Sequence, residues 1–482
     1  MKIKRLLAGF LAVSMVFSLT ACGKDDEKGA KTTTTESEED YLATYTNKVE
    51  IDTDAGVAGE IASLPGGEES TIRYMGENDI NPTKASPEKS VELKLFESKG
   101  GKITFSRVTN AQRFDKLAEA IITQTDVPDI FKHEWLAFPS QIIQERYQPI
   151  NSIVDFDDPL WSDVKETAEQ YCFQGDYYVA PLDFVPSAML FYDKQTIENE
   201  SLEDPYDLYL EGEWTWDAWH DIMTEFVQGG DAENVRYGVN GFFKPHIVQQ
   251  TGETMVILED DVFKSNIANA DIEKAETFLY DITKEGLVLN GWLGNVRDCF
   301  SNNALFYAMG EWAATGATNG PKEDDNWGVV PIPQYTANPQ QITTSDMTAF
   351  MWIKDSTKAD AVKCWFECYR ASKTDPEYVE ANKQTFFTNN PYWTEEMYEV
   401  KMDIVSSDYL QIFDYGFGVS STLGDRNAFD GNQCLIDALY GDVTVIDEEG
   451  IQKSWTQVRE TYSTIIDSEI ATLNDALKEY GK

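Results

Sequence analysis

Histidine is nearly absent. The 482 residues include three, His133, His220 and His246, so a histidine-rich metal centre or a His-based catalytic relay has almost no material to draw on. Positive charge is scarce too: 39 Lys+Arg stand against 84 Asp+Glu, a formal net charge of −45. Phosphate recognition needs clustered cations, which argues against nucleic acid as a partner. The short catalytic fingerprints are missing, with no P-loop, no dinucleotide glycine motif and no G-x-S-x-G. His133-Glu134 begins like a zinc-protease motif, but Ala137 stands in place of the second histidine. Asp52-Thr53-Asp54-Ala55-Gly56 lacks the later glutamate of a calcium loop and reads as a polar turn. No metal and no cofactor is expected.

Cysteines are few and do not describe a disulfide framework. Apart from Cys22 they are Cys172, Cys299, Cys364, Cys368 and Cys434, an odd number without regular spacing. Cys364 and Cys368 share a helix face, but no histidine or third cysteine stands nearby, so buried free thiols are expected. Past the first 21 residues no apolar run reaches the roughly 20 residues of a membrane span. What is abundant is core material. Apolar residues make up 42% and aromatics 12%, enough for large cores and too much for a disordered acidic polymer. At about 150 residues per domain the length suggests two or three units.

The N-terminus has the three-part order of a bacterial export signal. Met1-Lys2-Ile3-Lys4-Arg5 precedes an apolar run from Leu6 to Leu19, and Leu19-Thr20-Ala21-Cys22 resembles the lipobox, whose cysteine is lipidated. Residues 1–21 are therefore expected to be removed, which takes away three cations and leaves 36 against 84, or −48. Anionic lipid headgroups repel such a body, so the membrane is reached through acyl chains on Cys22, two or more being needed for stable anchoring. From Gly23 to Asp40 there is no large apolar side chain. Residues 22–67 are expected to form the lipidated cysteine and a flexible acidic tether.

Beyond the tether, strand and helix signals alternate. Thr71 to Met75 reads as a strand, Ser90 to Ser98 as a helix and Lys102 to Val108 as a strand. Thr109 and Gln112 form a capping-box pattern before a helix, and Val127 to Phe131 opens a further strand. This grammar implies parallel sheets covered by helices, an α/β fold. Thr215 reads as the N-cap of a helix carrying Trp219, Ile222, Met223 and Phe226, and the chain ends in a helix with Ile466, Ile470, Leu473 and Leu477 on one stripe.

Five stretches, in order, resemble the extracellular solute-binding proteins of family 1, which deliver sugars to ABC importers. They are Val127-Pro128-Asp129-Ile130; Gly175 to Pro181; Leu190 to Lys194; Glu213 to Asp217; and Ala308 to Trp312 followed by Trp327 to Pro333. The resemblance spans about residues 70 to 480. It implies a two-lobed, maltose-binding-protein-like (type II periplasmic) fold with a hinge and an interlobe cleft. Residues 68–182 with 335–398 would form lobe 1, and 183–334 with 399–482 lobe 2. Crossings are expected near Pro181 to Phe184, after Pro333 and near residues 395 to 405. Glu311 departs from the pattern, standing where the family usually has proline.

Sugar recognition combines aromatic faces with hydroxyl-binding polar groups, gathered beyond the carboxyl ends of strands. Glu77 and Asn78 follow the first strand, and Glu134 and Trp135 follow the third. Ligand contact and a solvated loop with a packed tryptophan are both open for them. The resemblance puts Trp312 at a sugar-stacking position, with core packing as the alternative. It puts Asp183 beside the first crossing, as a ligand or as a hinge cap. Trp292, Asp346, Tyr415 and Phe417 enter the cleft in the implied topology or serve as core or rim. The expected function is a lipid-anchored, monomeric receptor on the extracellular side of the membrane. It captures a carbohydrate, an oligosaccharide, for an ABC permease and has no enzymatic step. The alternatives are the same fold holding a peptide, a polyamine or another cationic solute, and a surface glycoside hydrolase with paired carboxylates.

Overall fold

A computed structural model describes residues 37–480, apart from Ala85, His133, Pro339, Thr344, 407–408 and 426–432. The expected signal segment, Cys22 and residues 23–36 lie outside the described residues.

The strands are β1 Thr71–Gly76, β2 Lys102–Arg107, β3 Ile130–Phe131, β4 Cys172–Phe173, β5 Asp176–Tyr177, β6 Ala180–Pro186, β7 Met189–Asp193, β8 Tyr237–Gly241, β9 Val256–Glu259, β10 Val262–Ser265, β11 Ala304–Met309, β12 Trp327–Val330 and β13 Ser345–Trp352. Two main sheets result, ordered β2-β1-β3-β13-β6 and β12-β7-β11-β8, with β4-β5 and β9-β10 as small hairpins.

In the first sheet β1 alternates, burying Ile72 and Tyr74 and exposing Arg73. It pairs in parallel with β2 and β3. Parallel neighbours require crossover connections, supplied by the helices Val91–Ser98 and Arg113–Thr123. The capping-box expectation at Thr109 is corrected here. Thr109 opens a 3-10 turn, Asn110–Gln112, and the α-helix begins at Arg113, because the Thr109 hydroxyl meets the Gln112 side chain (3.4 Å) and caps no backbone N–H.

In the second sheet β11 is buried along all six residues, as an apolar strand covered on both faces must be. Phe306 and Ala308 join the cluster that holds Trp219. Tyr307 and Met309 join the one that holds Val296, Met397 and Val400. The helix Trp216–Gln228 covers the first of these faces, and its cap is the expected one, with Thr215 Oγ1 accepting from Ala218 N–H at 3.3 Å.

The sheets are joined by crossing strands. β6 leaves the first sheet and, after Ser187-Ala188, becomes β7 of the second. β12 leads back to β13, which runs antiparallel to β6 from Ser345↔Pro186 to Phe350↔Ala180, with an irregularity at Thr348/Ala349. A third passage follows the helix Pro376–Asn389. Asn390 and Trp393 contact residues after β11, and the next helix, Glu395–Ile404, packs on β12. The last helix, Trp455–Glu479, is about 37 Å long at 1.5 Å per residue. It buries Ile466, Ile470, Leu473 and Leu477 as its stripe predicts.

One expectation fails before the first strand. A flexible tether through Gly67 is contradicted by Val49, Ala58 and Ile61, which are buried in the first-lobe core. Tyr378 donates to the carbonyls of Asp52 (2.7 Å) and Ala55 (3.1 Å), and Glu88 accepts from Lys48 N–H at 2.8 Å. Residues 45–64 thus form a strap over lobe 1, because apolar side chains spaced among the acidic residues find a surface to cover. Among the described residues no helix is long and apolar enough to cross a membrane. Of the five described cysteines, all but Cys172 are buried.

Candidate functional site

Two groups of side chains collect beyond the carboxyl ends of parallel strands, where open α/β sheets hold ligands. The first lies on lobe 1. A cavity of about 280 Å³ is lined by Tyr74, Glu77, Asn78, Asp79, Ile80, Ser90, Glu92, Lys132, Phe350, Trp365 and Tyr369. β1 ends at Gly76 and β3 at Phe131, so Glu77, Asn78 and Lys132 emerge at one edge. Arg113 holds Glu77 at 3.1 Å. The Lys132 ammonium sits 5.2 Å from the centre of the Phe350 ring, and burial holds its pKa below that of an ordinary lysine. Trp365 is fully buried, and its Nε1–H has no partner among the described residues.

The second group lies on lobe 2. Phe242 follows β8, Trp312 follows β11, and Trp292 sits on the loop between them in sequence. All three are exposed, at 45%, 47% and 62%. Trp292 and Trp312 stack with centroids 5.9 Å apart and planes 19° apart, and Phe242 lies 5.7 Å from Trp292. Local chemistry fixes the arrangement. Gly241 has φ +106°, and a Cβ there would meet the Ala308 carbonyl oxygen at 2.1 Å, so only glycine turns the chain toward Phe242. A Cβ on Gly310 would strike the Trp312 indole at 2.9 Å. Asn240, itself buried, donates to Leu289 O (2.7 Å) and Gly291 O (3.0 Å) and so holds the Trp292 loop to β8.

Between the groups lie the crossing strands. Asp183 on β6 meets Lys373 at 3.2 Å. Glu134, 4% exposed, feels the charges of Asp346 and Lys132, and burial pushes its pKa up to about 8, so it is protonated at neutral pH. Beside the β6–β7 link, Ser187 Oγ lies 3.3 Å from His246 Nε2, and burial lowers that imidazole to about 4. Among the described residues no group of three or more His, Cys, Asp or Glu is placed to hold a metal ion.

A family model for bacterial extracellular solute-binding proteins matches residues 79–373, more than half of the chain. The chain belongs to that family. No curated protein matches its sequence significantly. Solved structures share the fold at low identity. An ABC substrate-binding protein from Listeria monocytogenes, in complex with cycloalternan, is 16% identical at TM-score 0.53, over 85% of this chain and 98% of that one. The galacto-N-biose/lacto-N-biose I-binding protein of Bifidobacterium longum, in complex with lacto-N-biose, is 11% identical at 0.56, over 85% and 98%. The GacH receptor of Streptomyces glaucescens, solved unliganded and with acarbose, is 16% identical at 0.54, over 85% and 99%. Such likeness establishes the two-lobed fold and leaves ligand and role to the site itself.

The solute-binding protein places its sequence candidates unevenly. Trp292 and Trp312 meet in one exposed stack, and Glu77 and Asn78 line the lobe 1 cavity. Trp135 is half-buried and takes Phe417 edge-on at 5.3 Å, so each is the other's packing partner. Tyr415 is a core residue. It is 8% exposed, its hydroxyl donates to Gln170 O at 2.8 Å, and its ring packs on Phe138 and Phe263. Asp183 is engaged by Lys373, while Asp346 is exposed on β13. Phe242 and Lys132 were not among the sequence candidates, whereas Trp365 and Tyr369 pack inward against the lobe 1 core. The rule that a residue ending a strand beside glycine faces the ligand edge would have found Phe242.

Proposed function

We propose that this solute-binding protein is a receptor for a carbohydrate, an oligosaccharide, held between its lobes and delivered to an ABC permease without covalent chemistry. The observation that carries the reading is the exposed aromatic trio Phe242, Trp292 and Trp312. Water-facing aromatic planes of this kind suit the apolar C–H faces of sugar rings. Hydroxyls would then meet Glu77, Asn78, Asp79, Ser90 and Lys132 of the lobe 1 cavity. Contacts to both lobes would favour hinge closure. Fold relatives solved with cycloalternan, lacto-N-biose and acarbose support the carbohydrate class.

The same reading includes cleavage after Ala21, lipid on Cys22 as the membrane anchor, a monomeric body on the extracellular side and no cofactor. Its lobes are 68–182 with 335–398 and 183–334 with 399–482. The packing of Glu395–Ile404 on β12 argues for drawing the third crossing in to Asn390–Thr394. A second reading, a cationic solute such as a polyamine, draws on Glu77, Asp79 and Glu92 in the cavity.

A melting screen of the mature protein tests both. A ligand at 100 times its Kd stabilises by about 2.7 kcal/mol. Shifts with oligosaccharides are expected; shifts with polyamines or cationic peptides alone would refute the carbohydrate reading. Turnover of chromogenic glycosides would instead revive the hydrolase.

A further inference from the structure

Trp312 does not follow rigidly from its own strand. β11 ends at Met309, Gly310 bends the chain, and Trp312 rides on a four-residue 3-10 turn, Glu311–Ala314. That turn has no side-chain cap, and Ala313 N–H donates to Gly310 O at 3.1 Å where it begins. So short a 3-10 piece has little rigidity of its own.

Four contacts fasten the turn and its exit: Asn319 Nδ2 donates to Trp312 O at 3.1 Å, and the other three reach residues 390–401. The Glu311 carboxylate lies 2.8 Å from Lys401 Nζ, the two side chains being 25% and 14% exposed. Trp393 Nε1–H donates to Ala314 O at 2.6 Å, and Gly316 N–H donates to Asn390 Oδ1 at 2.7 Å. Lys401 is itself located by rings, 4.2 Å from the centre of Phe386 and 5.4 Å from that of Tyr398. Glu311 takes the first position of that turn. Proline at the first position of a helical turn fixes φ through its ring; glutamate has no such constraint, and its fixing comes from outside.

We infer that Glu311 and Lys401 are positioning residues for the Trp292–Trp312 pair, clamping the Trp312 turn by an ion pair to the helix Glu395–Ile404, which packs on β12 of the same sheet. The inference rests on the reading of that pair as the ligand platform. It adds that the stack is set by the helix Glu395–Ile404 as well as by β11, the strand that carries Trp312.

The test reads the stack without ligand. Two indoles 5.9 Å apart give an exciton couplet in far-ultraviolet circular dichroism, assigned as the signal lost in W292F. In the full mature chain, E311Q and K401M are each expected to lose at least half of the couplet, with melting temperatures within a few degrees of the parent. The charge-swapped double E311K/K401E is expected to recover more than half of that loss. A couplet unchanged in both single variants overturns the clamp. So does loss in the singles with no recovery in the double, because the ion pair is then not what holds the turn. Acarbose and lacto-N-biose titrations run in parallel. If neither binds any variant or the parent while the couplet behaves as expected, the carbohydrate reading is weakened and the clamp stands.

Discussion

Replacing Trp312 by alanine separates a ligand platform from a packed core residue, because the two roles predict opposite balances of stability and affinity. Trp312 is 47% exposed, whereas Trp219 is fully buried. A tryptophan contributes up to about 250 Å², so truncating a half-buried one gives up roughly 100 Å² of burial. At about 25 cal/mol per Å² this is about 2.5 kcal/mol, reduced to about 2 for residual burial in the unfolded chain. Trp219→Ala loses the whole ring and leaves a cavity, about 3–5 kcal/mol. In urea unfolding, Trp312→Ala is therefore expected to lose no more than about two thirds of what Trp219→Ala loses. Binding runs the other way. A central aromatic anchor is worth about 2 kcal/mol or more, roughly thirtyfold in Kd. Isothermal titration with the best saccharide from the melting screen reads this, and Trp312→Phe should keep part of the affinity. Binding within twofold of the parent, or a stability loss equal to that of Trp219→Ala, would refute the platform argument.

Three further outcomes are expected. Ile61→Ala should destabilise by about 2–5 kcal/mol in urea unfolding, as for any buried isoleucine, whereas a solvated tether gives no change. Glu134 has a folded-state pKa raised from 4.5 to about 8 by burial. The unfolded chain therefore releases this proton first, and Glu134 costs increasing stability as pH rises from 4.5 to 8. Glu134→Gln should flatten that part of the stability profile and raise stability at pH 8; a parallel profile would sink the assignment. Saccharide affinity should change less than about twofold between 50 and 500 mM NaCl, since screening acts on charged partners, while a polyamine ligand would show a steep loss by the same titration.

Legibility in the sequence followed local contrast. The βαβ start was readable because Gly100-Gly101 and the polar turn after Gly76 punctuate apolar alternation, and the Thr215 cap because its hydroxyl bonds within one turn. Trp292 and Trp312 were found singly, but their stacking depends on Asn240 and Lys401, 50 and more residues away in sequence, and no pattern encodes that. β8 hid because its buried residues include Asn240 among glycines, which breaks both alternation and an apolar run. Lys132 carried no sequence signal of its own in Phe131-Lys132-His133-Glu134, yet strand β3 delivers it to the cavity edge. The strap at 45–64 was obscured by acidic residues and glycines between its apolar anchors. Tyr415 misled in the other direction, since an aromatic near a loop looks available until its hydroxyl is found on Gln170 O.

Scarce positive charge gains meaning at the site. With 39 cations for 84 acids, fewer than half of the carboxylates could have a basic partner each. Several of the cations nevertheless stand beside acids near the two candidate surfaces. Glu77 has Arg113, Asp183 has Lys373, and Glu311 has Lys401. Lys132 lies close enough to Glu92 and Glu134 to feel both, and Glu134 holds its proton at neutral pH. Asp79, exposed, stands outside these pairings and accepts from the backbone and side-chain N–H of Asn81. A site for a polyamine has no use for lysines and arginines drawn from so small a supply, because each would repel the ligand and neutralise the acid meant to hold it. A neutral polyol has the opposite requirement. Its hydroxyls bond to charged groups already held in place by their partners, and no net charge need be desolvated with it. The distribution of 39 cations thus favours a neutral sugar over a cation, although the chain as a whole carries −45.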